Sequence, residues 1–516
     1  SNADTGFDKD DLIVKLRLNS NPSTEGVYHE LNVKYQDSDE NSDQSYVGLA
    51  DADFRRDAHV RYGLSAYDNM DNSHDTTSFN YIADFGNLEL SATRYENKFA
   101  RNWFKVDKID NNKVYGHGNG INNIIAAANT GAATASAILN GTNTQAVQIK
   151  LKNNNRAYTS EGTDLKLQYN TDKQSLTIGY RNTEDSEDRF QVYATTDWMN
   201  GKLGALTVGS DPGYSSNNRL TTAEATAFYI NEEVYFGALT VNLGFRSEEW
   251  TITQERYVDA ARSAISTENG YPKKLADSNN SLMGFGATYD MNDTTQLFFG
   301  FHEGFTPTGG GADPEEADNM EMGIRYAKDD TYFEAIYFDT DYQNMFGECT
   351  ASGGATGSCE IGDSFNAGEA SITGFELVAQ TERLGESGTM YPFSMVYTST
   401  DASFDNTFES NFWGSVTSGM DIPDLPDSQL ALQAGFETQT GLRGSATYYA
   451  YGSTCSIASC AAGTSVDSYK VIDASLTKMV SDKFDVYMVI ENITDETDVV
   501  ARAPKNGARA QKPRSF

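Results

Sequence analysis

The sequence is poor in proline, cysteine, histidine and positive charge, and it has no long apolar run. Its 516 residues hold only 10 prolines, and no Pro-, Gly- or Ser-rich stretch marks a linker. The length alone suggests two or three domains, yet a single repetitive architecture fits this uniformity better. Mean hydropathy is −0.54, and no apolar segment approaches the roughly 18–20 residues of a membrane helix, which excludes helical spans. Lys and Arg number 39 against 74 Asp and Glu, a formal charge of −35. That balance argues against a nucleic-acid partner, which needs a basic surface. Acid-rich loops facing a saline, cation-rich exterior would tolerate it, and plain solubility explains it equally well. None of the five histidines has HExxH-like spacing, so no catalytic or metal constellation is expected, and no enzyme activity.

What is present favours strands and tight turns: 29 Tyr, 27 Phe and 44 Gly. Leu239, Val241, Leu243 and Phe245 alternate with Thr240, Asn242, Gly244 and Arg246, a strict period of two. The same alternation recurs at Leu12–Leu18, Leu430–Phe436 and Phe484–Ile490. The segments 238–258 and 331–346 exceed the roughly 9–11 residues that cross a bilayer, as if strands projected beyond it. Tight turns at 170–174, 290–295, 328–330, 438–441 and 480–483 alternate with long loops near 47–70, 110–160, 194–220, 259–279, 347–366 and 404–428. Short turns on one side and long loops on the other predict an all-β, transmembrane antiparallel β-barrel of about 18 strands. The four cysteines form two close pairs, Cys349/Cys359 and Cys455/Cys460, in Gly-, Ser- and Thr-rich stretches. They read as local disulfides of an exported protein, the alternative being free thiols.

The terminal ENITDETDVVARAPKNGARAQKPRSF resembles the end of TonB-dependent outer-membrane receptors. GFHEGFTPTGGGADPEEADNMEMGIRY (300–326) is similar to another motif of that family. Residues 46–71, 100–109 and 153–162 look most like its ferric-citrate receptor branch. The resemblance implies a barrel of 22 strands and an N-terminal plug with a TonB box. Residues 1–3 look like an expression-tag scar, and 4–516 are expected to be the barrel domain truncated at both ends, without the plug. It implies an outer-membrane receptor for a ferric chelate such as ferric citrate or another siderophore, energised through TonB in the full-length protein. Iron would enter only as part of the chelate, with no resident cofactor, and the surrounding partners would be outer-membrane lipid and lipopolysaccharide. Uptake of an oligosaccharide, a passive porin or a surface adhesin are the alternative functions.

Ferric citrate is an anion, and a planar guanidinium can grip two carboxylate oxygens. Arg55, Arg56 and Arg61 in one outward loop, with Arg101 and Arg156 in the next outward excursion, are therefore candidate ligand contacts. Pairing with Asp51, Asp53 and Asp57 is the competing explanation. Asn506, with Arg502 and Arg509, matches the family region that contributes an amide to ferric citrate. His302 shares a face with Gln296, Phe298 and Gly300 and is expected to look into the lumen, as a ligand contact or a structural residue. The Ala-rich segment 122–139 is expected to form a small helix in its loop.

Overall fold

The computed structural model describes residues 6–21, 26–110, 120–210, 212, 217–267, 270–308, 313–348, 364–366, 368–410 and 413–516. The first six long strands are β1 (Phe7–Asn19), β2 (Tyr28–Ser42), β3 (Asn69–Asp84), β4 (Leu88–Asp110), β5 (Val147–Asn170) and β6 (Gln174–Met199). Next come β7 (Asn218–Phe236), β8 (Leu239–Arg256), β9 (Lys273–Asn292), β10 (Thr295–Thr306), β11 (Glu315–Lys328) and β12 (Thr331–Gln343). The last are β13 (Ala370–Leu384), β14 (Met390–Phe404), β15 (Ser428–Glu437), β16 (Leu442–Tyr451), β17 (Tyr469–Ser481) and β18 (Phe484–Ile490). All belong to one 20-stranded sheet, whose other two members, Lys202–Leu203 and Thr207–Val208, are two-residue pieces beside β6.

Each long strand pairs antiparallel with its neighbours in sequence, so the sheet is a continuous meander from β1 to β18. Among the described residues no ladder joins β18 back to β1. The hairpin connections 85–87, 171–173, 237–238, 293–294, 329–330, 385–389, 438–441 and 482–483 all lie at one end. The long connections, among them 43–68, 111–146, 200–217 and 405–427, lie at the other. In the 237–238 turn Gly237 holds φ +68°, a left-handed conformation that costs glycine little.

Register turns the alternation into a belt. Directly opposed residues of an antiparallel pair project to the same face. Val241, Ala287, Phe299, Met322, Tyr337 and Phe375 therefore form one apolar row across β8 to β13. The Leu239 row is apolar over the same six strands, and along β8 itself the four apolar positions from Leu239 to Phe245 span roughly 20 Å at about 3.4 Å per residue, near the roughly 25 Å of a barrel's lipid band. Leu243 is 51% exposed and Phe245 36%, so this stripe is not buried against a second sheet. The opposite face carries His302, Asn319 and Thr340 in one row.

Beyond the belt the strands run on toward the long loops, and there the structure departs from the sequence reading. Residues 147–160, read as loop, are the first half of β5. The loop above β4 holds two helices, α2 (Ile121–Asn129) and α3 (Ala133–Asn140), where the alanine content led to the expectation of one. They bury Ile124, Ile125, Ile138 and Leu139 against Ile149, Leu151, Ala194 and Trp198 of the strands and Leu49, Tyr62 and Leu64 of the 43–68 loop. The terminal loop joins this layer through Leu49 N to Ala508 O (3.0 Å) and Ala508 N to Leu49 O (2.7 Å). At Gly48 a Cβ would lie 2.6 Å from the Ala503 carbonyl oxygen, so only glycine admits this approach.

Candidate functional site

Arg101 on β4 stands opposite Arg156 on β5, and Arg156 stands opposite Arg189 on β6. Arg189 in turn faces Arg219 on β7, and Arg219 faces Arg256 on β8. Five arginines thus occupy one row of five adjacent strands. With strands about 4.8 Å apart the row is roughly 19 Å long. Its parity is that of the polar face, because the belt residues Leu165 and Leu167 lie on the other side of β5. Arg156 is about 30 Å along the strand from Leu165, well outside the belt.

Like charges set directly opposite one another repel, and one carboxylate relieves the crowding. Glu187 Oε1 lies in an ion pair 3.0 Å from Arg156 Nη1 and accepts from Arg189 Nη2 (3.0 Å), and its Oε2 accepts from Arg219 Nη2 (3.1 Å). Burial would raise the Glu187 carboxyl, but Arg189, Arg219 and Arg156 together hold it below the usual range. Burial, with Arg219 close by, pulls Arg189 down to about 10. Arg189 is 1% exposed, yet its Nη1 has no hydrogen-bond partner, nor do Nε of Arg101, Arg156 and Arg219. In the neighbouring row Gln191 donates to Asn154, and the buried Gln191 Oε1 stays unpaired. A buried cluster of guanidiniums with several unmet donors and a single internal acid is a cationic centre, whose charge favours an oxyanion.

The residues singled out from sequence fall into two groups. Arg101 and Arg156 belong to the row, and Arg156 is on β5 rather than in the 110–160 loop of the sequence reading. Arg55 and Arg56 sit on α1 (Asp51–Arg56) in the 43–68 loop. Arg56 pairs with Asp53 at 2.9 Å, the competing explanation for that side chain, while Arg55 is exposed and has no ion pair among the described residues. Arg61 donates to the carbonyls of Asp43, Ser65 and Asp68 and to Ser65 Oγ, so it clamps its own loop. Asn506 donates through N and Nδ2 to Asn122 Oδ1 and accepts from Asn129 Nδ2, tying the terminal loop to α2. The Arg502–Asp51 pair at 2.7 Å adds to that seam. His302, exposed on the polar face opposite Gly284 and Asn319, has the predicted orientation. Cys455 and Cys460 form a disulfide, whereas Cys349 and Cys359 lie outside the described residues.

The sequence reading missed Arg189, Arg219, Arg256 and Glu187. The signal was present in the hairpin closures: pairing Asn170 with Ser175 fixes Arg156 against Arg189. Among the described residues no group of His, Cys, Asp and Glu could hold a metal ion.

Comparison with known proteins decides the family. The model of the TonB dependent receptor-like β-barrel matches residues 17–493. The chain belongs to this family. Receptors of this family are outer-membrane transporters rather than enzymes, so the apolar belt is the lipid-facing band and the arginine row faces the lumen. The receptor is similar in fold to the ferric citrate transporter FecA in its unliganded form, with TM-score 0.70 and 15% identity over 99% of this chain and 69% of that one. It is also similar to the siderophore receptor PiuA from Acinetobacter baumannii (TM-score 0.71, 14% identity, 99% and 73% covered). The ferric yersiniabactin receptor FyuA from Yersinia pestis is a further neighbour (TM-score 0.64, 14% identity, 98% and 69% covered). No curated protein sequence matches.

Proposed function

We propose that this receptor sits in a bacterial outer membrane and imports an anionic ferric chelate, ferric citrate or a siderophore rich in carboxylates, with energy from TonB in the complete protein. The observation that carries this reading is the row of five arginines on the lumenal face, outside the lipid band, with buried donors on Arg101, Arg156, Arg189 and Arg219 left unpaired. Two of the similar structures are named for ferric chelates, which agrees with an iron-bearing cargo. Arg101, Arg156, Arg189 and Arg219 contact the ligand. Arg61 and Asn506 act through the loops they hold, and Arg55, Arg56 and His302 stand at the approach. An oligosaccharide would call for aromatic platforms instead of a cationic row.

The test is ferric-citrate binding by the full-length receptor, by titration calorimetry, with Arg156→Gln and Arg189→Gln each compared with the parent. Losing one buried guanidinium contact is expected to weaken binding by about 1.5–3 kcal/mol, roughly ten- to a hundredfold. Affinities within threefold of the parent for both variants would remove the row from the binding site and return the substrate to an open question.

A further inference from the structure

The row contains its own anion, and Glu187 does more there than fill space. Both of its carboxylate oxygens are engaged, by three guanidiniums on three strands. It has no lone pair directed at the donors that stay unpaired on Arg101, Arg156, Arg189 and Arg219. The row is therefore ordered by one charge yet not satisfied by it, since a carboxylate that meets three guanidiniums leaves donors on those three and on Arg101 unpaired. A buried donor without an acceptor costs about 1–3 kcal/mol, and only oxygens from outside can remove that cost.

We infer that Glu187 is a specificity-determining counter-ion of the anion site: it holds the guanidiniums at ligand-ready spacing in the empty receptor and repels the ligand's negative charge. This rests on the reading of the row as the anion site. A ligand that brings one carboxylate meets a repulsive neighbour and only a few free donors. A ligand that brings several carboxylates reaches enough unpaired donors to outweigh that repulsion. Glu187 thus lowers affinity for every anion and raises the preference for multivalent ones.

The test uses Glu187→Gln in the full-length receptor, with ferric citrate as the probe and acetate as a monovalent competitor. A residue with a merely structural role would weaken binding when replaced. Here ferric citrate is expected to bind about tenfold more tightly, because a like charge has been removed from a poorly solvated site. Acetate should compete measurably where it does not in the parent, and the unliganded variant should melt at a lower temperature. Unchanged or weaker ferric-citrate binding overturns the inference. Should the single variant fail to fold, Glu187→Gln combined with Arg189→Gln restores the charge balance. That double variant is expected to bind more tightly than Arg189→Gln alone, and equal or weaker binding overturns the inference. If Arg189→Gln weakens binding while Glu187→Gln does not strengthen it, only the role of Glu187 falls. If neither replacement has an effect, the anion-site reading falls as well.

Discussion

Lys105 and Lys152 stand directly opposite each other two rows beyond Arg101 and Arg156, on the same face. Both lie in the strand extensions outside the lipid band. Burial pushes each down to about 8, and the partly opposing influence of Asp107 does not reverse this. Ordinary lysines keep their charge to about pH 10.4. This pair is cationic below pH 8 and loses its charge as the pH rises through 8. Anion binding by the receptor should therefore weaken several-fold between pH 7 and pH 9. Citrate-iron chemistry also changes with pH, so the check is the comparison with a Lys105→Gln, Lys152→Gln double variant measured over the same range. The variant's profile should be flatter than the parent's; identical profiles would show that the two amines lie beyond electrical reach of the ligand. Arg61 teaches the opposite lesson: its guanidinium, surrounded by backbone oxygens, belongs to loop folding.

Among the strands, the outward-facing side of β4 to β7 carries a counterpart to the arginines. Glu96, Glu161, Glu184 and Glu224 oppose one another in a single row just beyond the lipid band. Arg94 holds Glu161 at 2.7 Å and Lys98 holds Glu96 at 2.9 Å. Glu184 and Glu224 are exposed and have no ion pair among the described residues. Directly opposed like charges each cost about 0.2–1 kcal/mol, so Glu184→Gln should stabilise the receptor by about 0.5 kcal/mol. A denaturant midpoint that stays level or falls would contradict this. Both rows show where sequence reading succeeds and where it stops. Leu239 to Phe245 was legible because one face meets lipid and the other water, which leaves a strict period of two. Within residues 147–160 of β5 only Val147, Ile149 and Leu151 alternate with polar residues, their apolar face covered by α2 and α3; the polar run Asn153–Arg156 breaks the period, so the segment read as loop. Rows of charge exist only once register is known, and a one-residue slip sends every side chain to the other face. The family resemblance pointed to Arg101 and Arg156, while their three partners on later strands needed the ladder.

Taken whole, the molecule is strongly acidic, with its formal charge of −35, around a cationic row. The general architecture was legible: the eighteen long strands, the single-ended loops and the apolar belt all follow from alternation and turn chemistry. The outer layer was less so, because the packing of α2 and α3 with the 43–68 and terminal loops depends on contacts between residues hundreds of positions apart. The length of the arginine row has a kinetic consequence. A cargo gripped by several guanidiniums spread over roughly 19 Å departs one grip at a time, and each grip can close again before the next opens. A small acid that captures a vacated guanidinium blocks that reclosure, so it hastens departure even when it is far too weak to displace the cargo at equilibrium. At constant ionic strength, the rate at which ferric citrate leaves the receptor should climb with added formate, instead of holding the fixed value of a ligand that lets go in a single step.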